Sequence, residues 1–185
     1  MFSMQVLILH GWENNSKDNW FPWLKKQLEK NDITVYSPDL PDSGVPSQEA
    51  WLQKIRKTLP LFNDDCVIIG HSLGVVAILR LLETFSENEK IRAAILVAGF
   101  TQSFSINAIS DFFKKPFEWD TIKSKSRKFI IINSENDPYL PLSEGEKLRT
   151  KLDGSFIIEK NAGHINKASG FVTYPRVFDL IMGLK

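Results

Sequence analysis

Ser72 stands in Gly70-His71-Ser72-Leu73-Gly74, a Gly-x-Ser-x-Gly pentapeptide preceded by Cys66-Val67-Ile68-Ile69 and followed by an apolar stretch of helical period. A buried strand, a tight turn flanked by glycines and a helix are what the presentation of a nucleophilic hydroxyl requires. Residues without Cβ let strand and helix pack closely and leave the serine Oγ exposed on a strained turn. Ligands meet parallel sheets at the carboxyl ends of the strands, which is where this serine falls. The chemistry indicated is attack on a carbonyl carbon. A serine before a helix also serves as an N-cap, and that alternative duty stays open for Ser72.

A serine hydroxyl needs a general base at neutral pH, and the chain has three histidines. His71 neighbours the serine and is expected to project away from it; His10 closes the first strand, where a structural hydrogen bond suits it. His164 remains, in the small-residue loop Asn161-Ala162-Gly163-His164 after an apolar run. Elbow serines of this kind are followed in chain order by an acid and then the histidine. Asp137, in Asn136-Asp137-Pro138, is the candidate acid, with Glu135 as rival and an Asx-turn as the bland alternative for Asp137. An oxyanion needs donors: the Leu73 N–H follows the serine directly, and the Trp12 N–H in His10-Gly11-Trp12 is the candidate second donor. The Trp12 indole, with Phe117 and Trp119 from the aromatic-rich stretch 113–119, is a candidate pocket lining or equally core packing.

These residues call for rigid elements. Apolar runs at 5–9, 33–36, 66–69, 93–97, 129–132 and 156–158 read as strands buried on both faces, and amphipathic stretches at 19–30, 47–59, 73–85, 142–152 and 170–182 as helices. The alternation predicts an α/β fold, a doubly wound, mostly parallel sheet of about six strands flanked by helices. Ser47 is a cap residue and Asp153-Gly154 a helix stop. Residues 100–121 lack clear periodicity, and their position after a strand is compatible with a short lid.

With 185 residues, the chain is expected to form a single domain over 1–185. Its 23 basic and 22 acidic side chains leave a net charge of +1, which argues against nucleic acid and membrane surfaces as partners. Lys123-Ser124-Lys125-Ser126-Arg127-Lys128 reads as a solvated turn. No basic export-type segment opens the sequence. The one cysteine, Cys66, lies in a buried run that would raise its pKa, so it is no candidate nucleophile and fits a reduced, cytoplasmic protein. No metal or cofactor is called for, and neither glycine-rich nucleotide loop pattern occurs.

Leu9-His10-Gly11-Trp12, Gly-His-Ser-Leu-Gly, Asn136-Asp137-Pro138-Tyr139-Leu140-Pro141, Ala162-Gly163-His164 and Lys115-Pro116-Phe117-Glu118-Trp119 occur in an order that resembles retinoblastoma-binding protein 9-type serine hydrolases over nearly the full length. The resemblance implies a compact α/β-hydrolase with minimal cap and a triad mapping onto Ser72, Asp137 and His164. The expected activity is carboxylesterase-like hydrolysis of a small ester, thioester or amide, with a small acyl compound as partner. The alternative is a binding or scaffold protein on the same fold. Binding of a retinoblastoma-type pocket protein is not expected: it needs Leu-x-Cys-x-Glu, and Cys66 is flanked by Asp64 and Ile68.

Overall fold

The computed structural model describes residues 4–59 and 61–185, so Met1 to Ser3 of the amino-terminal segment lie outside the described residues. Six strands, β1 (Gln5–Leu9), β2 (Thr34–Tyr36), β3 (Cys66–His71), β4 (Ala93–Val97), β5 (Phe129–Ser134) and β6 (Ser155–Glu159), form one sheet. Their order is β2-β1-β3-β4-β5-β6, and every pairing is parallel. Helices α1 (Phe21–Glu29), α2 (Gln48–Thr58), α3 (Leu73–Glu83), α4 (Trp119–Ser124), α5 (Leu142–Leu152) and α6 (Pro175–Met182) cover both faces.

Alternate strand residues serve the two layers. Leu7, Leu9, Ile68 and Leu96 pack with α2 to α5, whereas Val6, Ile8, Val67 and Ile69 pack with α1 and α6. Each such side chain contributes roughly 1.5–3 kcal/mol by leaving water. Because the β1-to-β2 connection runs over one face and the later crossovers over the other, the loops leaving β1 and β3 diverge. A crevice opens between them at the carboxyl edge of the sheet.

Burial on both faces holds for β3, β4 and β5. It fails for the edge strands β2 and β6, which are partly exposed because each has one neighbour and incomplete helix cover. Ser47 caps α2 by accepting from the Ala50 N–H at 3.4 Å. At the end of α5 the left-handed residue is Asp153, φ 53°. The last helix starts five residues later than its apolar pattern suggests, at Pro175, whose fixed φ suits the first turn.

Residues 100–121 are more ordered than their weak periodicity suggests. They contain a 3-10 helix, Asn107–Phe113, and lead into α4. A 3-10 turn has no 3.6-residue period, which is why the pattern missed it. Buried Arg80 of α3 anchors the segment: its Nε–H donates to the Phe112 carbonyl at 2.9 Å, and its Nη1 donates to Pro116 O and pairs with Glu83. The basic stretch 123–128 is partly neutralised, Lys123 by Asp153 and Arg127 by Asp64.

Candidate active site

Ser72 has φ 55° and ψ −121°, a conformation that costs a non-glycine residue on the order of 1–3 kcal/mol. Its backbone is held at both ends, N–H to Val97 O and carbonyl to Val75 N–H, both 2.9 Å. Its side chain makes no capping bond to α3, so the N-cap alternative is not realised. The elbow closes only with glycines: a Cβ on Gly70 would lie 2.6 Å from the Gly74 backbone, and one on Gly74 would lie 2.5 Å from Leu9 O.

The other two candidates meet in the loops after β5 and β6. His164 Nδ1–H donates to Asp137 Oδ2 at 2.7 Å, and the Asp137 side chain is 1% exposed. The other carboxylate oxygen, Oδ1, accepts from the backbone N–H groups of Tyr139 at 2.9 Å and Leu140 at 3.2 Å. The Asx-turn and the histidine contact are therefore both present, one on each oxygen. Glu135 is exposed, and its backbone N–H goes to Glu159 O. The His164 loop is tied down by Ser134 Oγ on Ala162 N–H, Asn136 Oδ1 on Gly163 N–H and Ser169 Oγ on His164 N–H. Among the described residues no hydrogen bond joins Ser72 Oγ to His164; the two side chains line one cavity. Catalytic hydrogen bonds are often long before substrate arrives.

The Gly11 backbone passes against the elbow, where an added Cβ would stand 3.0 Å from Ser72 Cβ and 3.4 Å from Leu73 N. That brings the start of the Trp12 loop beside the Leu73 N–H, an N-terminal helix donor with no intrahelical acceptor. His10 supports the loop: its Nδ1–H donates to Gly11 O at 2.9 Å and its Nε2 accepts from Leu40 N–H at 2.8 Å. The bond accepted at Nε2 requires the neutral ring, and burial pushes its pKa down. The Trp12 indole donates to Gly44 O at 2.8 Å and forms part of the cavity wall.

The cavity measures about 360 Å3, and its apolar wall includes Phe100, Phe104, Ile106, Ile109 and Leu140. The pocket expectation for Phe117 and Trp119 is corrected: they lie outside this wall. Phe117 sits under the Arg80 guanidinium, 3.9 Å from its ring centroid, and against Trp119 at 5.0 Å. A buried cation prefers an aromatic face to an apolar void, so these rings serve the anchor of the 100–121 segment. The segment contributes to the pocket through its first half, which no periodicity distinguished. Tyr139, whose ring lies 5.1 Å from that of His164, was also missed, although its adjacency to Asp137 was a signal. A larger depression, about 530 Å3, opens by Lys128 and Arg176 at the opposite end of the sheet, remote from these groups. Among the described residues no three His, Cys, Asp or Glu side chains gather as a metal site, and no helix is long and apolar enough to cross a membrane.

A parallel sheet wound on both faces, with a serine elbow after β3 and a histidine loop after β6, defines an α/β-hydrolase fold. The serine hydrolase family model matches residues 6–182, and the chain belongs to that family. It is similar to YdeN of Bacillus subtilis (strain 168), 29% identical over 178 residues, 96% of this chain and 94% of that one. The crystal structure of the ydeN gene product superposes with a TM-score of 0.93 at 28% identity, covering 98% of each chain. The serine hydrolase RBBP9 of Rattus norvegicus is 28% identical over 148 residues, 78% of this chain and 77% of that protein. The resemblance read from the motifs therefore stands, and the protein is a hydrolase.

Proposed function

We propose that the protein is a carboxylesterase-like enzyme that cleaves small esters, thioesters or amides through an acyl-enzyme on Ser72. The observation that carries this reading is the convergence on one cavity of a strained serine and a histidine whose far nitrogen donates to a buried carboxylate. Ser72 Oγ attacks the carbonyl carbon while His164 Nε2 takes its proton. The tetrahedral oxyanion receives the Leu73 and Trp12 backbone N–H groups. His164 returns the proton to the leaving group, and water repeats the sequence to release the acid. Asp137 keeps the proton of neutral His164 on Nδ1 and stabilises the imidazolium.

The cavity wall also supports a substrate class. At roughly 30 Å3 per heavy atom, its volume takes about a dozen atoms, and its aromatic and aliphatic wall is joined by Glu13, Asn14 and Asn166, with no lysine or arginine among the described lining residues. An uncharged, apolar acyl group of short to medium length fits it. Cys66, buried and with its thiol pKa pushed up by that burial, suits a reducing cytoplasm.

A fluorophosphonate probe read by intact mass tests the reading. One adduct on the folded protein, absent in Ser72→Ala and strongly slowed in His164→Ala, is expected. A folded wild-type protein that takes no adduct would overturn it and favour a binding protein on a hydrolase fold.

A further inference from the structure

His71, the residue before Ser72, does more than turn away from the elbow. Its ring is buried and packed edge-on against Trp20, Phe21 and the imidazole of His164, whose centroid lies 5.0 Å away. Its Nε2 lies 2.9 Å from the backbone carbonyl of His164. A carbonyl only accepts, so the proton is on Nε2 and this ring donates. The other nitrogen, Nδ1, is buried with no partner among the described residues, a loss that a phenyl ring of similar shape would avoid. What the histidine provides in return is the bond to His164.

That bond has a particular place in the site. Ser72 and His164 are not joined to each other, but the residue covalently attached to Ser72 holds the main chain of His164. Trp20 holds the next carbonyl, Ile165 O, at 3.0 Å, while Asp137 holds the ring through Nδ1. We propose that His71 is a positioning residue whose Nε2–H bond to the His164 carbonyl sets the spacing between Ser72 Oγ and the imidazole. The proposal rests on the reading of Ser72 and His164 as nucleophile and base. A neutral donor suits the task, because a cation there would oppose the imidazolium formed during turnover. Burial, reinforced by the nearness of His164, pushes the pKa of His71 down to about 3, so its ring stays neutral while His164 gains and loses its proton.

The test compares wild type with His71→Phe, which keeps a ring without a donor, and His71→Gln, whose side-chain amide can donate. The readouts are the rate constant of fluorophosphonate labelling, kcat and KM for a neutral ester, and the melting temperature. The expected result for His71→Phe is labelling and kcat slowed about 10²-fold with KM little changed, the scale of an ångström-level misplacement. His71→Gln should recover most of that loss. Equal labelling of wild type and His71→Phe, or equal loss in both variants, overturns the proposal alone. Absence of labelling in wild type overturns the reading of Ser72 as well. Should neither variant fold, imidazole nitrogen shifts of the wild-type protein decide: a neutral His71 protonated on Nε2 from roughly pH 5 to 9 supports the proposal, and protonation on Nδ1 overturns it.

Discussion

The carboxylate of Asp137 divides its work with His164 by atom: Oδ2 accepts the imidazole Nδ1–H at 2.7 Å, while Oδ1 holds the turn through Tyr139 and Leu140. The two duties can therefore be separated. Asp137→Asn keeps a carbonyl oxygen for the turn but presents an amide to the histidine, favouring the wrong tautomer. Esterase kcat should fall about 10⁴-fold with little change in urea stability. Asp137→Ala should lose the turn as well, at about 1 kcal/mol or more. Steady-state kinetics and urea titration of both variants check this.

The elbow predicts a stability effect independent of chemistry. A methyl on Gly74 would meet Leu9 O at 2.5 Å and His10 O at 2.7 Å, both backbone atoms of the neighbouring strand region that cannot rotate aside. Gly74→Ala should cost about 3 kcal/mol or more, or prevent folding. Chemical denaturation measures it, and a loss below about 1 kcal/mol would contradict this packing.

Acid should weaken the fold before the carboxylates titrate. His71 and His10 both have folded-state pKa values lowered, chiefly by burial, from 6.5. Below that value the unfolded chain binds protons that the folded chain refuses. Their contribution is thus complete above about pH 6.5 and declines as pH falls, by up to ~1.4 kcal/mol per pH unit for each ring, with His71 doing so down to about pH 3. Urea midpoints between about pH 6.5 and 4.5 should show this slope, reduced in His71→Gln.

The two aromatic groups of the 100–121 segment should behave differently. Phe104 borders the cavity and is partly exposed, so Phe104→Ala should raise KM for the longer acyl esters about 3- to 10-fold with a small stability change. Phe117 packs on Arg80, so Phe117→Ala should cost about 1–2 kcal/mol and leave KM unaltered. Kinetics over a chain-length series, paired with thermal melts, distinguish them.

Among the described lining residues, Glu13 is the acidic side chain on the cavity wall. An acyl chain ending in a carboxylate should be hydrolysed at least about 10-fold more slowly than its methyl-ended counterpart, and Glu13→Gln should narrow the gap two- to threefold at low salt. Equal rates for the two acyl chains would remove the charge argument.

Sequence alone determined the parts whose physics is local. A β-branched run, a glycine on either side of Ser72 and an apolar helix specify an elbow, because Gly70 relieves a clash with the Gly74 backbone only four positions on, whereas the clash Gly74 itself avoids, with the Leu9 and His10 carbonyls, is set by the folded sheet. The parallel α/β architecture followed from the same alternation of short apolar runs and amphipathic helices; most element ends moved by one or two residues, as in β3 and β5, and the start of α6 moved by five, to Pro175. Tertiary structure decided what depends on residues distant in sequence. Only the folded sheet brings Asp137 to His164, sends the rings of Phe117 and Trp119 to Arg80 instead of the cavity, and sets His71 on a carbonyl 93 positions away. Apolar and aromatic side chains read alike along the chain, and their partners are chosen by the strand order and by which buried polar groups remain to be satisfied.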